Sequence, residues 1–286
     1  MAKIIDCKEF VSNLNTVIQD QIRKYNIKAK LLIISTTNDD ASKVYVKNKI
    51  KKCKSFGLDA ENICFNKNDY NELQDMELDI LNCILEANNN RNITGIILQL
   101  PTENGIDYMK LVDSIEPYKD VDGLSYYNNA LLYKGFTSIY PATAYGILSL
   151  LQYNNIDLDG KNIVIVGRSM LVGKPLFHLL EQNNATVTLA HSHTKELYKI
   201  TKKADIVICA IGKSKYFNSS YFKSNAVIID VGINRDENGK LCGDVNIDEL
   251  SDKQSCTPVP GGIGMITSTM VVYNLIKCFK ISHYNE

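Results

Sequence analysis

Apolar and polar positions along the chain follow two alternating periods. Short unbroken apolar runs, the mark of strands buried on both faces, stand at Leu31-Leu32-Ile33-Ile34, Asn62-Ile63-Cys64-Phe65 and Gly95-Ile96-Ile97-Leu98-Gln99-Leu100, the last stopped by Pro101. Helical spacing fills the gaps. Ala41 to Phe56 carries Val44, Val46 and Ile50 among lysines and ends near Gly57. Glu72 to Ala87 sets Leu73, Met76, Ile80, Leu81, Ile84 and Leu85 on one side. Strands separated by helices predict parallel βαβ units, with helices over both faces of a sheet.

A second series follows a helix predicted from Pro141 to Tyr153. Asp159-Gly160 turns the chain into Asn162-Ile163-Val164-Ile165-Val166, and further strands are predicted at Thr186–Ala190, Asp205–Ala210 and Ala226–Val231. This is the rhythm of a doubly wound nucleotide-binding domain. A last helix, clearest from Thr267 to Lys280, is expected to pack back on the first domain. The predicted fold is therefore α/β with two α/β domains. Residues 1–140 plus the helix at 267–286 form one, and residues 141–266 form a Rossmann-like, doubly wound second.

Composition narrows the setting. Acidic and basic residues balance at 32 each, so the chain has no general attraction to nucleic acid or a membrane surface, and any basic site is local. No apolar run is long enough to span a bilayer. The 8 cysteines form no Cys-x-x-Cys pair, and Met1 to Phe10 lacks the apolar core of a signal peptide. Together these features predict free thiols and a cytoplasmic protein.

The strand ending at Val166 runs into Gly167-Arg168-Ser169-Met170-Leu171-Val172-Gly173, and a helix follows with Lys174-Pro175 in its first turn. Glycine directly after a strand lets backbone approach a diphosphate, and a helix amino terminus adds N–H donors and a positive dipole end. The spacing is not Gly-x-Gly-x-x-Gly, so a plain strand-to-helix turn stays open on the glycines alone. NAD-binding domains place an acidic residue at the end of the second strand for the ribose hydroxyls. Here that strand ends in Leu189-Ala190-His191-Ser192-His193-Thr194, with no carboxylate. Arg168, Ser192 and His193 suit a 2′-phosphate instead, which points to NADP. His191 and His193 have the spacing of a metal pair, but no Cys, Asp or Glu cluster joins them and no metal is expected.

Tyr45 and Lys49 stand four apart and so share a helix face. A tyrosine ring offers a stacking surface, and a lysine serves as general acid or base when its proton is loosely held. Lys47, Lys51 and Lys52 crowd Lys49, and like charges favour the neutral amine. A solvated lysine-rich face is the competing reading. Gln99 lies at the carboxyl end of a buried strand, where open α/β sheets bind ligands. Lys119-Asp120-Val121-Asp122-Gly123 sets two carboxylates on a tight loop, and Pro258-Val259-Pro260-Gly261-Gly262-Ile263-Gly264 is a stiff turn suited to a flat ligand. A Tyr-x-x-x-Lys pair also suggests short-chain dehydrogenases. Their glycine motif precedes the pair, however, and here the order is reversed.

These segments resemble the bifunctional methylenetetrahydrofolate dehydrogenase/cyclohydrolase family over nearly the whole chain. The carriers are Tyr45-Val46-x-x-Lys49 continuing to Lys51-x-Cys53, then Gly95 to Pro101, and Lys119 to Gly123. Val166-Gly167-Arg168-Ser169 with Val172 to Pro175 comes next, then His191-Ser192-x-Thr194, Asp230-Val231-Gly232-Ile233-Asn234 and Thr257 to Gly264. One such motif carries little weight, but this series in the family's order is specific.

The resemblance implies an N-terminal folate-binding catalytic domain, an NADP-binding Rossmann-like domain, tetrahydrofolate derivatives as substrates, and a homodimer. It implies Lys49 as catalytic lysine, with Tyr45 stacking on the folate and Gln99 orienting Lys49 and the reacting centre. Asp122 hydrogen-bonds the pterin, with Asp120 beside it. Leu100, Pro260, Gly261, Gly262, Ile263 and Gly264 line the folate cleft. Gly167, Arg168, Ser169, Ser192 and Ile233 match cofactor-binding positions.

The implied chemistry is hydride loss from the methylene bridge, followed by hydrolysis of the methenyl cation to formyltetrahydrofolate in the same active site. A monofunctional or NAD-preferring dehydrogenase and a catalytically silent folate-binding protein are the alternatives. The intact Tyr45, Lys49, Gln99 and Asp122 weigh against the silent binder. Thr37 departs from a common glycine, Ala142 and Ala144 from the usual Cys and Pro around Thr143, and Met265 from the usual proline after the last glycine.

Overall fold

The computed structural model describes residues 2–37, 40–136 and 139–284. Asn285 and Glu286, the end of the expected last helix, lie outside the described residues. The chain opens with β1 (Lys3–Ile4) and α1 (Cys7–Lys24). Asp6 Oδ1 starts this helix by accepting the backbone N–H groups of Lys8 and Glu9, each at 2.9 Å. Then come β2 (Lys30–Ser35), α2 (Asp40–Ser55), β3 (Asp59–Cys64), α3 (Leu73–Asn89) and β4 (Gly95–Leu98). Two short helices, α4 (Tyr108–Val112) and α5 (Tyr126–Lys134), carry side-chain caps from Asp107 and Ser125, and α6 (Ala142–Tyr153) follows. The second series is β5 (Asn162–Val166), α7 (Gly173–Glu181), β6 (Thr186–Ala190), α8 (Leu197–Thr201), β7 (Ile206–Cys209) and β8 (Val227–Asp230). An antiparallel pair, β9 (Asn234–Arg235) and β10 (Leu241–Cys242), precedes β11 (Ser255–Cys256) and the long α9 (Ile263–Tyr284).

The chain divides into two compact units: Asn15–Ala142 with Ser268–Glu286, and Met1–Leu14 with Thr143–Thr267. The first holds a parallel three-stranded sheet ordered β3-β2-β4. Its central strand is flanked on both sides, so Leu31 to Ile34 are no more than 1% exposed. Register with β2 pairs Lys30 with Asp59, and that starts β3 three residues before the apolar run that announced it. Strand order reverses between β2 and β4, so their carboxyl ends, Ser35 and Leu98, flank the switch point where open sheets bind ligands. Beyond β4 the chain returns to bridge Ile96 with Asp120. Asn274 on α9 ties that segment down, its amide donating to the carbonyls of Val121 at 2.9 Å and Tyr140 at 2.8 Å. On α3, Met76, Ile80 and Ile84 are buried as their spacing predicts, whereas Leu85 is left exposed.

The second unit holds a six-stranded, all-parallel sheet ordered β1-β11-β8-β7-β5-β6. Its switch point lies at β5 and β7, where Val166 pairs with Cys209. Val164, Val207, Phe217, Phe222 and Ile228 fill the core on one side.

Met1–Leu14 groups with the second compact unit. Lys3 and Ile4 pair with Ser255 and Cys256, adding β1 to the edge of the large sheet. A two-residue strand is too short to show a period in the sequence.

Candidate active site

Tyr45 and Lys49 lie one turn apart on α2. Lys49 is only 9% exposed, an unusual place for a lysine. Its Nζ donates to Gln99 Oε1 at 3.0 Å and stands 3.5 Å from Asp122 Oδ2. Gln99 follows β4 directly. Its backbone N–H donates to the carbonyl of Ile34 at 2.8 Å, and its side-chain Nε2 donates to the carbonyl of Leu100 at 2.6 Å. Lys49, Gln99 and Asp122, drawn from three separate segments, thus converge at the switch point of the small sheet.

The solvated-face reading holds for Lys47 and Lys51, which are exposed. It fails for Lys49. The charge paired with Lys49 is the Asp122 carboxylate. Of its lysine neighbours, Lys52 turns to Asn15, donating to Oδ1 at 2.9 Å, and burial lowers its pKa. Tyr45 is 36% exposed, and the burial of the rest of its side chain raises its phenol pKa.

The two aspartates of the loop separate cleanly. Asp120 is 1% exposed, and its oxygens accept from Gly123 N–H at 3.0 Å, Ser125 N–H at 2.8 Å and the Asn128 amide at 3.0 Å. Its oxygens shape the loop that presents Asp122. Lys119, missed from the sequence as a structural residue, donates to three carbonyls at the end of α3, those of Ala87, Asn88 and Asn90. It pins the same loop to that helix. Tyr108 was missed as well. Burial pushes its phenol pKa well up, and the carboxylates of Asp122 and Asp120 add to the shift. It sits on a short helix with no motif to flag it.

A pocket of about 290 Å³ opens on another face of α2, lined by Thr37, Val46, Lys47, Ile50 and Cys64. Lys49, Gln99 and Asp122 are not among its walls.

The remaining expected residues lie in the second unit. Gly167 follows β5 at φ +129°, and a Cβ there would stand 2.2 Å from the carbonyl oxygen of Ala210. Only glycine lets the end of β5 close against the end of β7. Ser169 Oγ accepts the N–H of Val172 at 3.2 Å and braces the turn into α7. Val166 pairs with Ala190, so Arg168 and Ser192 each stand two residues past paired ends of adjacent parallel strands. Both are exposed. The turn after β6 is set by His191 N–H donating to Thr194 Oγ1 at 2.8 Å, and His191 Nδ1 accepts from the N–H of His193 at 3.2 Å.

A glycine-closed strand-to-helix turn, a cation and a hydroxyl at one sheet end, and no carboxylate after β6 together fit a nucleotide with an extra phosphate. Ile233 is 44% exposed, and its Cδ1 lies 3.4 Å from where a Cβ on Gly264 would stand, so the turn at Pro260 to Gly264 meets the loop after β8. Within that turn Ile263 is buried at 3% and begins α9, which leaves Pro260 and Gly264 as its open edges.

Two family descriptions match the chain: tetrahydrofolate dehydrogenase/cyclohydrolase, catalytic domain, over residues 5–122, and tetrahydrofolate dehydrogenase/cyclohydrolase, NAD(P)-binding domain, over residues 141–283. The bifunctional protein FolD of Agathobacter rectalis is 42% identical over 286 residues, covering 98% of this chain and 100% of the relative. The crystal structure of the bifunctional FolD of Campylobacter jejuni superposes with a TM-score of 0.92 at 33% identity, over 99% of this chain and 100% of that one. The methylenetetrahydrofolate dehydrogenase-cyclohydrolase of Trypanosoma brucei, solved with NADP cofactor and an inhibitor, does so with a TM-score of 0.90 at 28% identity, over 99% of each chain. This chain belongs to the tetrahydrofolate dehydrogenase/cyclohydrolase family.

Proposed function

We propose that this protein oxidises methylenetetrahydrofolate with NADP and hydrolyses the methenyltetrahydrofolate so formed to formyltetrahydrofolate. One observation carries the reading: Lys49 Nζ, buried on α2, is held by Gln99 Oε1 at 3.0 Å with Asp122 Oδ2 at 3.5 Å. NADP, when bound, supplies the acceptor for the hydride lost from the one-carbon bridge. Gly167, Arg168, Ser169, Ser192 and Ile233 would hold it, with Arg168 and Ser192 directed to the 2′-phosphate.

In the hydrolytic step Lys49 acts as general base and then acid. Its neutral amine takes a proton from the water that attacks the methenyl carbon. As the carbon–nitrogen bond of the ring breaks, the ammonium returns that proton to the leaving nitrogen, and the hydroxyl on the former methenyl carbon loses its own proton to solvent as it becomes the formyl carbonyl. Gln99 fixes Nζ in place for both transfers. Tyr45 stacks on the folate, and Asp122 accepts a hydrogen bond from the pterin. The family resemblance assigns Leu100, Pro260, Gly261, Gly262, Ile263 and Gly264 to folate binding. Asp120 supports the cleft through the loop. Both steps act on one carbon, so one bound pose serves both.

We further propose a cytoplasmic homodimer with tetrahydrofolate derivatives as its substrates. The dimer follows from the family resemblance. Eight cysteines without a disulfide support a reducing compartment. Among the described residues, no helix is long and apolar enough to cross a membrane.

The test follows nicotinamide reduction and methenyl absorbance together, with NADP and then NAD. Reduction without lasting methenyl build-up, and loss of hydrolysis in Lys49→Met, is the expected result. Methenyl accumulation limited only by uncatalysed hydrolysis would leave a monofunctional dehydrogenase. Reduction faster with NAD would replace the cofactor, and no reduction with either would leave a folate-binding protein.

A further inference from the structure

Two carboxylates are buried together at the carboxyl ends of β7 and β8. Asp244 is 0% exposed and Asp230 is 3% exposed. Asp244 Oδ2 accepts the N–H groups of Ile211 at 2.6 Å and Gly212 at 3.2 Å, while Oδ1 accepts from Lys213 N–H and the Asn234 amide, both at 2.9 Å. Asp230 Oδ1 accepts from Gly232 N–H at 3.0 Å and from the N–H of Asp244 itself at 2.9 Å, and Oδ2 accepts from Val245 N–H at 2.9 Å.

The fit leaves no room for side chains. A Cβ at Gly243 would lie 1.8 Å from Asp230 Oδ2, and one at Gly232 would lie 2.3 Å from Asp244 Oδ1. The backbone N–H of Asp230 also donates to Thr257 Oγ1 at 2.8 Å, just before the Pro258-to-Gly264 turn. Three loops are thereby fixed to one another: 211–213 after β7, 231–234 after β8, and 243–245.

Burying two carboxylates side by side costs stability that well-packed apolar side chains would not. Backbone N–H groups are what compensate here, and every loop they fix lies at the sheet end where nucleotides bind. The loop after β8 carries Ile233, which packs against Gly264.

We propose that Asp244, seated on Asp230, is a positioning residue for NADP: it touches no ligand and holds the loops after β7 and β8 in the shape that receives the nucleotide. This rests on the reading of the protein as NADP-dependent. Asp244→Asn keeps the volume of the side chain but turns one acceptor into a donor facing N–H groups.

The full-length protein and the variant are compared by equilibrium fluorescence titration with NADPH, by methenyltetrahydrofolate hydrolysis without nucleotide, and by thermal melting. The expected result is NADPH binding weakened by about tenfold or more, the cost of losing acceptors for buried donors. KM for NADP should rise in parallel while nucleotide-free hydrolysis is retained. Asn234→Ala removes a single donor to Asp244 and is the milder variant, expected to weaken NADPH about threefold in the same pattern. Unchanged NADPH affinity in both variants overturns the proposal, as does hydrolysis falling in step with affinity, which would mark a purely structural pair. Wild-type protein that fails to bind NADPH would instead overturn the NADP reading itself.

Discussion

Gln99 turns its carbonyl oxygen to Lys49 at 3.0 Å because its amide nitrogen is already engaged 2.6 Å from the carbonyl of Leu100. The amide therefore has one orientation. Flipping it would set N–H groups against the Lys49 amine and carbonyl against carbonyl. In the general acid and base role proposed for Lys49, a group that accepts from it without adding charge would steer the lone pair and protons of Nζ.

Gln99→Leu keeps the bulk and removes that acceptor. Hydrolysis of methenyltetrahydrofolate is expected to fall by about 100-fold. Because Gln99 is a positioning residue for Lys49 in this scheme, the loss should be in kcat, with KM for the folate changing little. Stopped-flow decay of methenyl absorbance checks it, and a loss confined to KM would reassign Gln99 to ground-state binding.

Asp120 and Asp122 stand two residues apart and should answer differently to the same substitution. Asp120→Ala strands three donors, from Gly123, Ser125 and Asn128, in a buried site. It is expected to cost about 2–4 kcal/mol in urea unfolding and to take both activities with it. Asp122→Ala removes the ion-pair partner of Lys49, which keeps its hydrogen bond to Gln99. Stability should fall less than in Asp120→Ala, because one partner is lost instead of three, while the folate KM rises about tenfold. Equal losses of stability in the two variants would remove the distinction.

Arg168 is exposed two residues past β5, level with Ser192 past β6. Arg168→Gln removes the cation without removing the hydrogen-bonding reach. KM for NADP is expected to rise by about tenfold, with KM for NAD unchanged. Parallel changes for both nucleotides would place Arg168 on the diphosphate rather than the 2′-phosphate.

The residues that meet at Lys49 were legible because each sits in a segment whose local chemistry is itself distinctive: a buried run ending in Gln99, a Tyr-x-x-x-Lys helix, and paired aspartates on a tight loop. Their partition was not legible. Asp120 and Asp122 look alike until the donors of Gly123, Ser125 and Asn128 claim one of them. The lysine-rich face of α2 hid the ion pair of Lys49, because Asp122 lies 73 positions away in the sequence. β1 and β11 have two residues each, and neither shows a period. Asp244 left a faint signal, a glycine before it and a valine after it. Only the four N–H donors around its carboxylate and the facing glycines give it a task.

Burial pushes the Asp230 carboxyl up to about 6 from 3.8, against three backbone N–H groups that favour the anion. The titratable groups around it are Asp244 and the thiols of Cys209 and Cys256, and burial raises both thiols well above their usual values. A carboxyl whose pKa is higher folded than unfolded binds its proton more tightly in the folded state. Its contribution is fully present below 3.8 and is lost as pH rises through about 6. At about 1.4 kcal/mol per pH unit, a shift of this size amounts to about 3 kcal/mol, gone by neutral pH. This runs opposite to the ion-paired carboxylates Asp157 and Asp205, whose pKa values are lowered and whose contributions are lost as pH falls. The useful quantity is therefore the difference between wild type and Asp230→Asn, which cannot titrate. Urea unfolding at about pH 4 and about pH 7 should show wild type losing about 2 kcal/mol relative to the variant over that interval. Parallel pH profiles would mean that the N–H groups of Gly232, Asp244 and Val245 outweigh burial and hold Asp230 as the anion throughout.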